Sequence, residues 1–303
     1  MTTSTSCDHR TPLSAAYYAD GAECVTAPIT LNERMAEDTY RLRFTAPTIA
    51  AAITPGQFVM LRLAGINDPL LGRALALYDV HRDASGAPLG VEVVYLVHGK
   101  LTTALASAQP GDQIDVWGPL GNGFGATEET PPSYDRLIQV AGGIGQTPFL
   151  ALGKEALDAE SYGPEDRKPI RASCVTLCYG VRRASLLAGE EDFRGAGIDL
   201  RVASDDGSVG HHGLVTELLT AALDESADES VLVACCGPEP MMEAVAEVCR
   251  GRAPLLVSLE TPMACGFGAC FSCVAKVVQP DGEWDYKRTC VEGPVFDAEK
   301  IVW

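Results

Sequence analysis

Hydrophobic and polar positions follow two different patterns along the chain. In the first part, short alternating or β-branched runs recur between Gly, Pro and Asp turns, which is typical of antiparallel strands. Six such runs in close succession predict a small antiparallel β-barrel. The runs cover residues 23–30, 39–45, 57–63, 74–80, 91–97 and 113–117.

The pattern changes after a polar, Pro-containing segment at residues 127–132. Continuous apolar runs then alternate with helical segments, and this alternation predicts a parallel sheet with helices on both faces. The predicted strands cover residues 137–141, 172–179, 198–203 and 231–235, and the predicted helices begin near Thr147 and cover 214–223 and 240–250. The predicted fold is therefore α+β and multidomain, with an N-terminal tail (1–22), a barrel domain (23–130), an α/β nucleotide domain (131–254) and a small C-terminal domain (255–303).

A cysteine motif dominates the C-terminal part. A C-x4-C-x2-C pattern and one distant cysteine are formed by Cys265, Cys270, Cys273 and Cys290. This is the plant-type spacing for a 2Fe-2S cluster, in which four thiolates complete two tetrahedral irons. Gly266 and Gly268 allow the loop to curl and to point its amides at the sulfides. A zinc-stabilised binding module is the alternative, but zinc sites usually carry two C-x2-C pairs.

Composition limits the classes of partner. The formal charge of −18 and the isoelectric point near 4.6 argue against nucleic acid, because phosphates are repelled by an acidic surface. No apolar stretch has the length of a membrane span, and residues 1–21 lack the pattern of an export signal. The odd count of eleven cysteines fits a reduced compartment, so the sequence predicts a cytoplasmic protein.

Two glycine turns follow predicted strands of the parallel sheet. Gly142, Gly143 and Gly145 come after the first strand, and Gly237 follows the last. Ligands bind outside the carboxyl ends of the strands in open α/β sheets, where glycine lets the backbone approach a pyrophosphate. The turns therefore predict a nucleotide site.

The order of these parts resembles the ferredoxin-NADP reductase superfamily, in which a barrel holds FAD and an α/β domain holds a nicotinamide cofactor. Five further sequences narrow the resemblance to the electron-transfer subunits of NAD-dependent, B-type dihydroorotate dehydrogenases. They are GPLGNGF (118–124), DDGSVG (205–210), MACGFGAC (263–270), YKRTC (286–290) and EGPVF (292–296).

The resemblance also implies roles for individual residues. The family's flavin motif, Arg-Pro-x-Ser, falls on residues 73–76, where Arg73 keeps the pyrophosphate role but Ala76 lacks a hydroxyl. A second flavin element, Gly-Thr before a helix, keeps Thr102 and has Leu101 in place of glycine. The implied cofactor-binding residues are Arg73, Ala74, Leu75, Ala76, Tyr95, Leu96, Val97, Thr102, Thr103, Gly142, Gly143, Gly145, Thr147, Pro148, Cys236, Gly237 and Pro238.

The function that the resemblance implies is electron transfer in pyrimidine biosynthesis. A nicotinamide exchanges hydride and the cluster single electrons, so a flavin is needed between them. The expected partner is an FMN-containing dihydroorotate dehydrogenase catalytic subunit in a heterotetramer, and no catalytic residue is assigned. The alternative is a flavin and iron-sulfur reductase subunit of a hydrogenase, sulfite reductase or transhydrogenase.

Two charged segments remain open to interpretation. Arg182 and Arg183 follow a predicted strand at a position where they could bind a 2′-phosphate, which would favour NADP. The start of a solvent-exposed helix explains them equally well. NAD is expected from the resemblance alone. The acidic run at 190–192 is expected to lie on the surface.

Overall fold

The computed structural model describes residues 19–127 and 129–303. Most of the predicted N-terminal tail, including Cys7, lies outside these described residues. Among the helices of the described ranges, none is both long and apolar enough to cross a lipid bilayer.

Six antiparallel strands close into a barrel in the order β1-β2-β5-β4-β3-β6. They are β1 (Glu23–Ala36), β2 (Thr39–Thr45), β3 (Phe58–Leu63), β4 (Arg73–Arg82), β5 (Pro88–Leu96) and β6 (Gln113–Leu120). The barrel prediction is confirmed, because alternating side chains such as Ile114 and Val116 point into the barrel core. Two short helices, α1 (Pro47–Ala52) and α2 (Lys100–Leu105), connect its strands.

Nine further strands follow the barrel. They are β7 (Ser133–Gly142), β8 (Arg171–Val181), β9 (Asp199–Ser204), β10 (His211–His212), β11 (Val231–Cys236), β12 (Leu255–Ser258), β13 (Val274–Val278), β14 (Trp284–Arg288) and β15 (Val295–Asp297). Seven of them form a sheet in the order β10-β9-β8-β7-β11-β12-β15, parallel except for the last pair. The predicted parallel sheet is thus confirmed, and its central strand β7 is continuously buried over residues 137–141 because helices cover both faces.

Four helices accompany the sheet: α3 (Phe149–Ala156), α4 (Glu190–Gly195), α5 (Val215–Glu225) and α6 (Glu239–Cys249). On α5, Val215, Leu219 and Leu223 are buried at helical spacing and face the sheet. Nearly every residue of α3 is buried, because α3 contacts both sheet strand β8 and barrel strand β4.

The C-terminal segment is connected to both parts. Strands β12 and β15 extend the sheet, whereas β13 and β14 form a separate two-stranded ribbon. The predicted division between residues 254 and 255 therefore falls directly before a strand of the sheet, and the domain boundaries stay a prediction.

Ionic contacts join the barrel to the sheet. Arg41 on β2 forms an ion pair with Asp192 on α4, and the Tyr78 hydroxyl donates to the same carboxylate over 2.7 Å. Asp79, next to Tyr78 on β4, accepts from Lys154 and from the Tyr162 hydroxyl. The expectation that the run at 190–192 is only surface is therefore wrong for Asp192, because the barrel supplies a partly buried arginine opposite it.

Candidate functional site

A cavity of about 560 Å³ lies between the barrel, the carboxyl edge of the sheet and the C-terminal segment. We call it the barrel cavity. Ten of the predicted cofactor-binding residues line it, namely Arg73, Ala74, Leu75, Ala76, Tyr95, Leu96, Thr102, Thr147, Pro148 and Cys236.

Strand β4 carries the first of these residues. It pairs with β3 through Phe58 opposite Ala76 and Leu61 opposite Arg73, so residues 73–76 follow one rim of the cavity. The Arg73 guanidinium is exposed and donates to the Gly72 carbonyl over 3.1 Å, with further donors available for phosphate oxygens. At Ala76 the wall presents a methyl group. A cation at the rim and an apolar wall fit FAD.

The second predicted flavin element differs from its expected form. The Thr102 hydroxyl is buried and accepts from the His98 amide over 2.7 Å, so it holds the turn before α2. Leu101 is 1% exposed and belongs to the packed interior of the barrel domain, which explains a large side chain where the family has glycine. Thr103 is exposed on α2 and does not line the cavity.

A second cavity, of about 800 Å³, opens at the carboxyl ends of β7, β8, β9 and β11. We call it the sheet cavity. The predicted residues that line it are Leu96, Val97, Gly142, Gly143, Gly237 and Pro238. Gly143 has φ +55°, and a Cβ placed there would meet no atom within 4 Å. The backbone is therefore open to the cavity at this turn, as close approach of a pyrophosphate requires.

The other glycines serve packing. A Cβ on Gly142 would lie 2.6 Å from the Met241 sulfur, and one on Gly145 would clash with the Cys236 carbonyl. Gly145 lines neither cavity. These glycines bring the two turns at the ends of β7 and β11 together.

The two cavities adjoin. Leu96, His98, Ile144 and Glu260 line both of them, so two ligands in these cavities would meet at this wall. Glu260 follows β12, and its side chain is open to the cavity although protein surrounds it on most sides; this burial raises the pKa of the Glu260 carboxyl. The sequence prediction ended the sheet before β12 and therefore missed this residue.

The four cysteines form two pairs. Hydrogen bonds link Cys265 with Cys270, and Cys273 with Cys290. Hydrogen bonds from Ser272 and Cys265 lower the pKa of the Cys270 thiol to about 6, which favours the thiolate that binds metal. No three His, Cys, Asp or Glu side chains in the described ranges group around a single metal-ion position. Two thiol pairs fit the two irons of a 2Fe-2S cluster, each of which takes two protein ligands.

The cysteine loop, residues 265–273, rests on the barrel. The Trp117 indole donates to the Cys265 carbonyl over 2.9 Å. Gly266, at φ +80°, leaves room for Met60 and Leu120, since a Cβ there would clash with Met60 Cγ and lie 3.1 Å from Leu120 Cδ1. Arg288 donates to the Gly268 carbonyl over 3.1 Å. The loop is thus held by the barrel and by the ribbon.

Only one layer of side chains separates the cysteines from the barrel cavity. Phe58 packs in one buried cluster with Cys273 and Cys290, and Ala74 and Met263 pack against that cluster. Phe58, Ala74 and Met263 also line the barrel cavity. A cluster on these cysteines would therefore lie directly behind the cavity wall.

Three family models match successive parts of the chain. They are the oxidoreductase FAD-binding domain at residues 26–124, the oxidoreductase NAD-binding domain at 139–247, and the iron-sulfur cluster binding domain of dihydroorotate dehydrogenase B at 260–302. Their order agrees with the order of the barrel, the sheet and the cysteine segment.

Curated relatives match nearly the whole chain. The dihydroorotate dehydrogenase B (NAD(+)) electron transfer subunit of Bacillus caldolyticus is 39% identical, covering 88% of this chain and 94% of the relative. The corresponding subunit of Desulforamulus reducens is 35% identical, covering 89% and 94%. A solved NADH-dependent reduced ferredoxin-NADP oxidoreductase is 26% identical, with a TM-score of 0.72 over 91% of this chain and 90% of that one. The chain belongs to the family of dihydroorotate dehydrogenase B electron transfer subunits.

Proposed function

We propose that this chain carries electrons between a dihydroorotate dehydrogenase catalytic subunit and NAD, through a 2Fe-2S cluster and FAD. The observation that carries the proposal is the succession of three adjoining sites. The sheet cavity shares a wall with the barrel cavity, and the barrel cavity shares another with the cysteine pairs. The names of the relatives support the choice of partner enzyme.

When bound, the nicotinamide supplies hydride chemistry, the cluster one-electron chemistry, and the flavin the exchange between them. The residues of the chain bind and align these groups. Arg73 offers guanidinium donors at the rim of the barrel cavity, and Gly143 opens the backbone of the sheet cavity. Leu96 and Ile144 line both cavities and exclude water where they meet.

The same geometry supports the assignment of the predicted residues. In the proposal, FAD lies against residues 73–76, Tyr95 and Thr102, and NAD lies against Val97, Gly142, Gly143, Gly237 and Pro238. Thr147, Pro148 and Cys236 also lie against FAD, Leu96 lies between the two ligands, and the four cysteines ligate the cluster. Thr103 and Gly145 act by supporting these elements.

The proposed partner surface surrounds the exposed side of the cysteine loop. Cys270 is exposed, and Phe267 and Phe271 beside it are 44% and 61% exposed. Large exposed aromatic side chains are enriched at protein interfaces. We propose that the catalytic subunit covers this face and that two copies of each subunit form a heterotetramer.

Co-expression with the dihydroorotate dehydrogenase catalytic subunit encoded in the same genome tests the function. Dihydroorotate-dependent NAD reduction should require both proteins, and the purified complex should contain flavin and about two irons per copy of this chain. Copurification with a hydrogenase or sulfite reductase subunit instead, without dihydroorotate-dependent activity, would show that the assignment of the partner is wrong.

A further inference from the structure

A polar cluster at one end of the sheet cavity has no role in the electron path described above. It comprises Glu37, Arg183 and Ser185. Glu37 lies in the turn between β1 and β2 of the barrel, whereas Arg183 and Ser185 follow β8 of the sheet. Of the three, Arg183 lines the cavity, as does Asp38 beside Glu37 in the same turn, so the Glu37 carboxylate borders the far end of the nucleotide cavity from the barrel side.

This end is where the adenosine half of a dinucleotide would lie. The nicotinamide ring must meet the flavin at the wall that the two cavities share, which includes Ile144 and Glu260. The opposite end lies at the carboxyl ends of β8 and β9, where Arg183 and Asp205 line the cavity. In dinucleotide sites an acidic residue accepts the 2′-hydroxyl of NAD at this position, and an arginine accommodates the 2′-phosphate of NADP.

Two of the side chains that could bind a 2′-phosphate, Arg183 and Ser185, already have a partner in Glu37. Arg183 donates through Nη2 to Glu37 Oε1 over 2.5 Å and through Nε to Ser185 Oγ over 3.1 Å. The Ser185 hydroxyl donates to Glu37 Oε2 over 2.5 Å, and the Glu37 amide donates to the Ser185 carbonyl over 2.8 Å. The Glu37 carboxylate therefore occupies the position between Arg183 and Ser185 where a phosphate would otherwise bind.

The net charge at this end of the cavity also disfavours a phosphate. Arg182 and Arg183 face Asp38 and Asp205, which line the cavity with them, and Glu37 adds a third carboxylate, so the formal charge is −1. Hydrogen bonds from Ser185 and Arg183 lower the pKa of Glu37, in agreement with a carboxylate that accepts from both side chains. A phosphate monoester with a charge near −2 would have to displace this carboxylate.

We propose that Glu37 is the specificity-determining residue that excludes a 2′-phosphate, and hence NADP, by occupying the donors of Arg183 and Ser185. The proposal rests on the nicotinamide site proposed above and identifies what selects its ligand. The determinant belongs to the barrel domain, although the nucleotide binds at the sheet.

Titration of the purified cofactor-loaded chain with 5′-AMP and 2′,5′-ADP isolates the effect of the 2′-phosphate. In the wild type, 2′,5′-ADP should bind no more tightly than 5′-AMP. In Glu37→Gln, the released donors should tighten binding of 2′,5′-ADP by about tenfold, because charge-assisted hydrogen bonds to phosphate are strong. Binding of 5′-AMP should change by less than about twofold, and the ratio of kcat/KM for NADPH to NADH, with ferricyanide as acceptor, should rise in parallel.

Two further variants complete the design. Arg183→Leu added to Glu37→Gln should abolish the gain for 2′,5′-ADP. Glu225→Gln is the matched control, because Glu225 pairs with Arg201 at the C-terminal end of α5, away from the carboxyl edge of the sheet, and it should alter neither titration. Unchanged binding of 2′,5′-ADP in Glu37→Gln would overturn the proposal. Loss of 5′-AMP binding in that variant would also overturn it, because Glu37 would then only support the wall.

These titrations involve neither the partner subunit nor dihydroorotate. If dihydroorotate-dependent NAD reduction fails, the titration result remains valid. If binding of 2′,5′-ADP does not change in Glu37→Gln, the assignment of the partner subunit is unaffected.

Discussion

Cys270 is the exposed member of its thiol pair, and its replacement tests the order of the carriers. Cys270→Ser removes one of the four proposed iron ligands, so iron content should fall well below about two per chain. Flavin should stay bound and NADH should still reduce it, because Phe58 lies between the cysteines and the barrel cavity. Iron analysis and flavin bleaching by NADH measure the two effects.

Cys174→Ser is the control for this change, since Cys174 lies near the start of β8 and donates to the Asp135 carbonyl, outside the ligand set. It should retain both iron and flavin reduction. Loss of flavin reduction in Cys270→Ser with flavin still bound would contradict the proposed order.

Glu260 makes stability depend on pH in a defined direction. Burial raises the pKa of its carboxyl in the folded protein, so the folded state binds the proton more tightly than the unfolded state and stability falls as pH rises above the unfolded value of about 4.3. Glu260→Gln should therefore raise the thermal midpoint relative to wild type at pH 8 and have little effect at pH 4. Glu243→Gln, on the exposed face of α6, is the charge-matched control. An equal effect of Glu260→Gln at both pH values would contradict the assignment.

Residues whose roles depend on local spacing could be predicted from the sequence. Residues 73–76 and the glycines 142, 143 and 237 are close together within their motifs and line the cavities, whereas the cysteines pair behind the cavity wall; their roles as ligands stay predictions. His98, Ile144 and Glu260 were missed because they come from three distant segments that meet only in the folded protein. The cross-domain bonds of Glu37 could not be predicted for the same reason.

Helix α4 shows how an element can be predicted wrongly from its composition. Its first turn is Glu190, Glu191 and Asp192, a run that resembles a solvated surface. Helical geometry separates neighbouring positions by about 100°, so Asp192 faces the barrel while Glu190 pairs with Arg194 in solvent.

Substitution on the two faces of α4 should have different effects. Asp192→Asn removes the nearest of the three carboxylates that pair with Arg41 and weakens the acceptor of Tyr78, and we expect it to lower the free energy of unfolding by about 1–3 kcal/mol. Glu190→Gln should change it by less than about 0.5 kcal/mol, because its ion pair is exposed. Urea unfolding measures both, and equal effects would mean that the interface does not depend on this ion pair.

Long strands and helices were predictable because their apolar periodicity extends over several residues. The elements missed are short, among them α1 with six residues, β12 with four and β15 with three. Such segments are specified by the neighbours against which they pack, and β15 forms only by pairing with β12.

At the scale of the whole molecule, the exposed cysteine loop predicts where the partner binds. Phe271→Ser removes the most exposed aromatic side chain of that loop and should weaken association with the catalytic subunit by about tenfold or more, as is usual for a central interface aromatic. NADH oxidation by ferricyanide in the isolated chain should be unchanged. Analytical ultracentrifugation or surface plasmon resonance measures the association.

Trp284→Ser is the matched control. Trp284 is also a half-exposed aromatic, but it pairs with Val278 at the end of the ribbon remote from the cysteines. Arg288 lies four positions further along the strand from Trp284, a distance of about 13 Å. Equal weakening by both variants would argue against a partner surface centred on the cysteine loop.

The pairing of β12 with β15 determines what removal of the iron-binding segment would do to the sheet. Ser258 and Val295 are directly opposite each other, so everything from 259 to 294 leaves and re-enters the sheet at one point. A deletion of this segment, bridged by a short turn, would keep all seven strands, whereas ending the chain at 254 would remove two of them. The iron-binding part is thus an insertion between two neighbouring strands, and its removal would preserve the sheet but open the wall of the barrel cavity where Glu260 and Met263 lie.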